Sequence, residues 1–142
     1  MSSWKFLSPG DKVFLISPGY ASSEAEVQGA VAFLKKWKLV PVLPEGTIAP
    51  HYFHANTDQN RIRFAKEAFT SDAKVIWCLR GGYGSNKILP SLAKMKAPKQ
   101  KKLLIGISDI TSLHTFVTQE WGWVSLHAPL LDRLGRKLVA PR

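Results

Sequence analysis

Ser108 sits in the segment Gly106-Ile107-Ser108-Asp109-Ile110, between an apolar run and a helical pattern. A serine at such a strand-to-helix junction can have its hydroxyl held out at the edge of a sheet. The tight turn crowds the backbone, so its neighbours must be small or permissive: Gly106 meets that need, while Ile110 does not match the second glycine of G-x-S-x-G. The first amides of the following helix and the positive end of its dipole would favour an alkoxide or oxyanion at this point. The same residues admit a plainer reading, in which Ser108 or Asp109 is merely a helix N-cap, and on spacing alone that reading is the stronger. Arg80-Gly81-Gly82-Tyr83-Gly84 is open in the same way. Consecutive glycines can bring backbone amides onto an oxyanion or simply make a turn. Neither G-x-G-x-x-G nor a G-K-[ST] ending is present, which leaves a dinucleotide or phosphate-loop reading weak.

Both segments lie between recognisable elements. Val13 to Ile16 is a continuous apolar run ended by Ser17-Pro18-Gly19, as expected of a strand buried on both faces. Ser23-Glu24-Ala25-Glu26 has the form of a capping box, after which Val27, Ala30, Val31 and Leu34 recur at helical spacing towards Lys35, Lys36 and Lys38. Leu39 to Leu43 reads as a short strand, placed near an edge by Pro41. Residues 44–56 read as loop, and Thr57 or Asp58 can start a helix carrying Ile62, Ala65 and Phe69. Further strands are predicted at Lys74 to Leu79, Leu103 to Ile107 and Val124 to Leu126. Helices bearing Ile88, Leu89, Leu92 and Met95, then Ile110, Leu113, Phe116 and Val117, fall between them. This alternation predicts an α/β domain with an open, mainly parallel sheet and helices on both faces. Ligands then bind at the carboxyl edge of the strands, where Ser17-Pro18-Gly19, the Gly81 turn, Ser108-Asp109 and His127 all fall.

Composition narrows the class. The chain has 142 residues, 45% of them hydrophobic and 21% charged. That is enough for one domain with a core, which excludes a disordered or collagen-like chain. A lone cysteine, Cys78, among Val75, Ile76, Trp77 and Leu79 reads as a buried thiol and excludes a disulfide or cysteine-metal scaffold. No apolar run approaches the roughly 18 to 20 residues of a membrane span, and a cytoplasmic protein is expected. Twenty basic against ten acidic residues give a formal charge of +10, raising the question of an anionic partner. The basic stretch Lys94, Lys96, Lys99, Lys101 and Lys102 reads as a solvated connection. Trp37, Trp77 and Phe116 fall at core-facing positions, so no base-stacking platform is evident and nucleic acid is not expected as a partner.

Five segments in order resemble the LD-carboxypeptidases, serine peptidases that include the murein tetrapeptide carboxypeptidases and the microcin C immunity peptidases. They are Gly10-Asp11-Lys12-Val13 with Ser17-Pro18; Thr57-Asp58 with Arg61; Arg80-Gly81-Gly82-Tyr83-Gly84; Gly106-Ile107-Ser108-Asp109-Ile110-Thr111 with Leu113-His114; and His127-Ala128-Pro129. The chain departs from the family pattern at Asn56 and Ala128, where glycine is usual, and at Ile107, where an aromatic is common. Asn56 is expected to tolerate the left-handed turn that a glycine would make.

The resemblance implies a flavodoxin-like or class I glutamine amidotransferase-like domain. It implies Ser108 as the acyl-forming nucleophile, with oxyanion donors from the backbone of Asp109 and of the Gly81 and Gly82 turn, the second donor being assigned to Gly82. The family's glutamate and histidine partners come from a C-terminal domain, so residues 1–142 correspond to the nucleophile-bearing N-terminal domain, roughly the first half of a member. None of His51, His54, His114 and His127 is assigned as a substitute base. The implied activity is hydrolysis of an L,D-peptide bond, releasing a terminal D-amino acid from a murein peptide or related conjugate, with no metal or organic cofactor and a homodimeric intact protein. A chain without its partners should hardly turn over. A non-catalytic anion- or nucleotide-binding module and a basic nucleic-acid-binding protein are the alternatives.

Overall fold

The computed structural model describes residues 6–136. Five strands, β1 (Lys12–Ile16), β2 (Val40–Val42), β3 (Val75–Cys78), β4 (Leu103–Gly106) and β5 (Ser125–His127), form one sheet in the order β2-β1-β3-β4-β5. All pairs are parallel, with Phe14 opposite Ile76 and Gly106 opposite His127. The chain winds outward in both directions from β1, so the connections leaving β1 and β3 diverge and open a crevice at their carboxyl ends. The helices are α1 (Glu24–Lys36), α2 (Asp58–Thr70), α3 (Ser85–Leu92), α4 (Thr111–Gln119) and α5 (Leu131–Gly135), with a 3-10 turn at Ser108–Ile110 before α4.

Strand alternation splits the core into two layers. Phe14, Ile16, Ile76, Cys78 and Leu104 face Ala65, Phe69, Ile88, Leu92, Leu113 and Val117 of α2, α3 and α4. Val13, Leu15, Val75, Trp77 and Ile105 face Ala30 and Leu34 of α1 and Leu131 of α5. Because both faces are covered, the central strands carry continuous apolar runs rather than alternating ones. The capping box forms as expected: Glu26 N–H donates to Ser23 Oγ at 3.3 Å, and Ser23 N–H donates to Glu26 Oε2 at 2.7 Å. Thr57 Oγ1 caps α2 by accepting from Asn60 N–H at 3.3 Å. Pro41 lies on an edge strand, and burial pushes the Cys78 thiol well above its ordinary range.

Several expectations need correction. Trp37 ends α1 with 59% of its surface exposed and rests against Phe33, ring centroids 5.1 Å apart, because the helix stops before the indole can reach the sheet. Lys102 is buried, and its ammonium donates to the Ser71 carbonyl at 2.5 Å, so the basic connection is not solvated throughout. Asn56 is not left-handed: its buried amide donates to Gly46 O and accepts from Thr57 N–H and Asn60 Nδ2, bracing the loop. Strand β5 begins one residue later than predicted, and α5 was not anticipated, since five residues are too few to display a period.

Candidate functional site

Three turns meet at the carboxyl edge of the sheet. The turn after β1 is pinned to the turn after β3 by Tyr20 N–H donating to Gly81 O at 2.9 Å. A Cβ added to Gly19 would lie 2.4 Å from that same carbonyl, so only glycine allows the two backbones to approach this closely. The turn after β3 abuts the one after β4. A Cβ at Gly81 would lie 3.4 Å from Ser108 Cβ and 3.6 Å from the Asp109 nitrogen. Gly82 has φ +97° and turns its open side to the Tyr20 ring.

Ser108 has φ +66°, one of three described non-glycine residues in the left-handed region. Such a conformation costs on the order of 1 to 3 kcal/mol and persists only where the surroundings enforce it. Gly106 helps enforce it, since a Cβ there would strike Ile110 at 2.7 Å. The helix-cap reading of this segment does not hold: neither the 3-10 turn nor α4 carries a side-chain cap bond. The Asp109 carboxylate instead crosses to the Gly-rich turn, accepting from Ser85 N–H at 2.9 Å and Gly84 N–H at 3.3 Å. The Asp109 carbonyl accepts from the hydroxyls of Ser85 and Ser112.

A buried guanidinium braces the same turns from behind. Arg61 donates to Pro18 O and to Gly84 O, the latter at 3.0 Å, and pairs with Asp58 at 2.5 Å. Its hydrogen bond holds the Asp58 carboxyl below the ordinary carboxylate range. His54 packs against Gly84, and its pKa is lowered by burial and by the Arg61 charge. In the sequence Arg61 stood out only through the family resemblance; a lone arginine on an amphipathic helix has no pattern of its own.

The other histidines take separate places. His114 is buried with Nε2 on Gly106 O at 2.9 Å, so it supports the end of β4, and burial lowers its pKa. His127 is exposed on the edge strand, its ring centroid 5.9 Å from that of His114. His51 lies in the loop that pairs with His54 through the backbone. Among the described residues no side chain hydrogen-bonds the Ser108 hydroxyl.

Ser108, Gly81, Gly82 and Tyr20 line an open cleft of about 510 Å³ together with Arg80 and Asp132. Asp132 is buried, and that burial raises its carboxyl pKa above the ordinary value. Nothing in the sequence marked Asp132 or the neighbouring Arg133, because α5 carried no periodic signal. The arrangement offers a hydroxyl on a strained elbow, backbone amides at two adjoining turns and a positively charged wall, a set suited to attack on a carbonyl and stabilisation of the resulting oxyanion.

The sequence model of the LD-carboxypeptidase N-terminal domain matches residues 13–128. The murein tetrapeptide carboxypeptidase of Pseudomonas aeruginosa is 31% identical over 135 residues, which is 92% of this chain and 43% of that one. Among solved structures, the muramoyltetrapeptide carboxypeptidase of Oxalobacter formigenes superposes with a TM-score of 0.73 at 29% identity, covering 84% of this chain and 40% of that one. The MccF-like protein of Bacillus anthracis gives 0.79 at 26% identity, covering 91% and 40%. Against these three proteins the chain spans about two fifths of their length. With the matched region running from β1 to β5 and containing all three converging turns, this chain belongs to the LD-carboxypeptidase family, in its N-terminal domain.

Proposed function

We propose that this chain is the nucleophile-bearing domain of a serine LD-carboxypeptidase acting on a murein tetrapeptide or a related peptide conjugate in the cytoplasm, as a homodimer when intact. The observation that carries the reading is Ser108 at φ +66° against the Gly81 turn, in a chain that matches the LD-carboxypeptidase N-terminal domain. In this scheme Ser108 Oγ attacks the carbonyl of an L,D-peptide bond. The carbonyl oxygen becomes an oxyanion facing the Asp109 N–H and an N–H of the Gly81–Gly82 turn. The C–N bond then breaks, the leaving amine takes up the proton lost by Ser108, and the terminal D-amino acid departs. Water releases the acyl group from Ser108 in the second half-reaction.

The proton must be carried by a base, and the reading assigns base and orienting carboxylate to the portion of the relatives that this chain does not span. Residues 1–142 alone should therefore be folded and nearly inactive, lacking several orders of magnitude in rate. The complete gene product should release D-alanine from an L,D-tetrapeptide and none from the analogue ending in L-alanine. Equal release from both diastereomers, or from neither, contradicts the proposal.

A further inference from the structure

Much of the wall of the cleft is built from charge. Arg80, Arg133 and Arg136 line it together with Asp132. Arg80 is fixed in place: its Nη1 donates to Ala21 O at 3.1 Å and approaches Glu26 Oε2 at 3.5 Å. Glu26 is itself buried, held by the capping box of α1, and also pairs with Arg136. One carboxylate thus anchors two guanidiniums at the rim, while Nε and Nη2 of Arg80 have no hydrogen-bond partner among the described residues. Arg133 is exposed and has no ion pair among them. The second acid, Asp132, is buried with Oδ1 unpartnered. Three guanidiniums against two carboxyl groups, one of them already taken up, leave the wall with excess positive charge and spare donors beside Ser108.

A carboxypeptidase differs from an endopeptidase in requiring a free carboxylate one residue beyond the bond it cuts. Planar, always-charged guanidinium donors are the side chains best matched to such a group. We propose that Arg80, assisted by Arg133, is the receptor for the terminal carboxylate of the departing D-amino acid, with Glu26 as the positioning residue that orients Arg80. This assignment rests on the function proposed above and deepens it: the cleft selects a chain end, and the selection is made by arginines that line the same cleft as Ser108.

The test compares two substrates on the complete gene product, an L,D-tetrapeptide ending in a free acid and the same peptide ending in a carboxamide. The wild type should prefer the acid in kcat/KM. In Arg80→Gln that preference should fall by about 10- to 100-fold, the loss expected for a charge-assisted hydrogen-bonded pair. Arg80→Lys should recover part of it, and Arg133→Gln should lower it several-fold. A merely structural role would reduce both substrates together and leave the ratio unchanged. An unchanged ratio in a folded Arg80→Gln enzyme overturns the assignment while leaving the peptidase reading intact, as would recognition of a carboxylate elsewhere on the peptide. Should Arg80→Gln fail to fold, an unchanged ratio in Arg133→Gln overturns it instead. If the wild type cuts neither substrate, the peptidase reading falls and takes this assignment with it.

Discussion

The Asp109 carboxylate accepts the Ser85 N–H at 2.9 Å, joining the residue after Ser108 to the first residue of helix α3. The first amides of a helix have no partner within it, so an anion placed there satisfies them and meets the positive end of the dipole. The bond therefore stabilises α3 and locks the Gly-rich turn to the turn that carries Ser108 in one step. Asp109→Asn keeps the shape, loses the charge and should lower stability by about 1 kcal/mol; Asp109→Ala should cost about 1 to 3 kcal/mol. In the complete protein both should lower kcat more than they raise KM. Denaturant titration and steady-state kinetics provide the check, and a fully active Asp109→Ala would show that the two turns hold their register without this bond.

The backbone strain at Ser108 gives a separable prediction. Glycine takes φ +66° freely, so Ser108→Gly should be as stable as the parent or up to about 1 kcal/mol more stable, even though glycine loosens the unfolded chain, while being inactive. Melting curves of Ser108→Gly and Ser108→Ala, measured side by side, should place the glycine variant higher. The reverse order would mean that the left-handed turn stores no strain.

Close backbone approach makes Gly19 a sharper test of the converging turns than any polar residue. A methyl at Gly19 meets the Gly81 carbonyl and the Asp109 carboxylate, at 2.4 and 2.8 Å, neither of which can withdraw without breaking other bonds. Gly19→Ala should cost on the order of 1 to 3 kcal/mol and displace the Gly81 turn from Ser108, lowering activity further than stability alone explains. A variant with parental melting temperature and rate would contradict the geometry.

Asp132 should make stability pH-dependent in a particular direction. Burial raises its folded-state pKa above the ordinary value of 3.8, so the folded form binds the proton more tightly than the unfolded chain. Its favourable contribution is complete below about pH 3.8 and is lost as pH rises through the raised value. Asp132→Asn should therefore increase the melting temperature near pH 7 and change it little near pH 3. An equal effect at both values would show that the ionised carboxylate is not penalised.

Much of this arrangement was legible from the residues. The uninterrupted apolar runs of β1, β3 and β4 announce strands covered on both faces, and the serine and glutamate around α1 announce its start, because these signals are local. Trp37 and Lys102 misled for the opposite reason: whether a long side chain turns inward depends on where the neighbouring elements stop, which spacing does not encode. The cross-sheet roles of Asp109 and Arg61 were likewise hidden, since each satisfies backbone groups more than twenty residues away. Helix α5 was invisible to periodicity, and it brings Asp132 and Arg133 to the cleft.

In the proposed reaction Ser108 forms the acyl bond. The most direct measurement incubates the complete gene product, as wild type and as Ser108→Ala, with an L,D-tetrapeptide and quantifies released D-alanine. The wild type should release it, and release should fall by about three or more orders of magnitude in a Ser108→Ala protein that remains folded and still binds the peptide. Release of D-alanine by Ser108→Ala at the wild-type rate would contradict it.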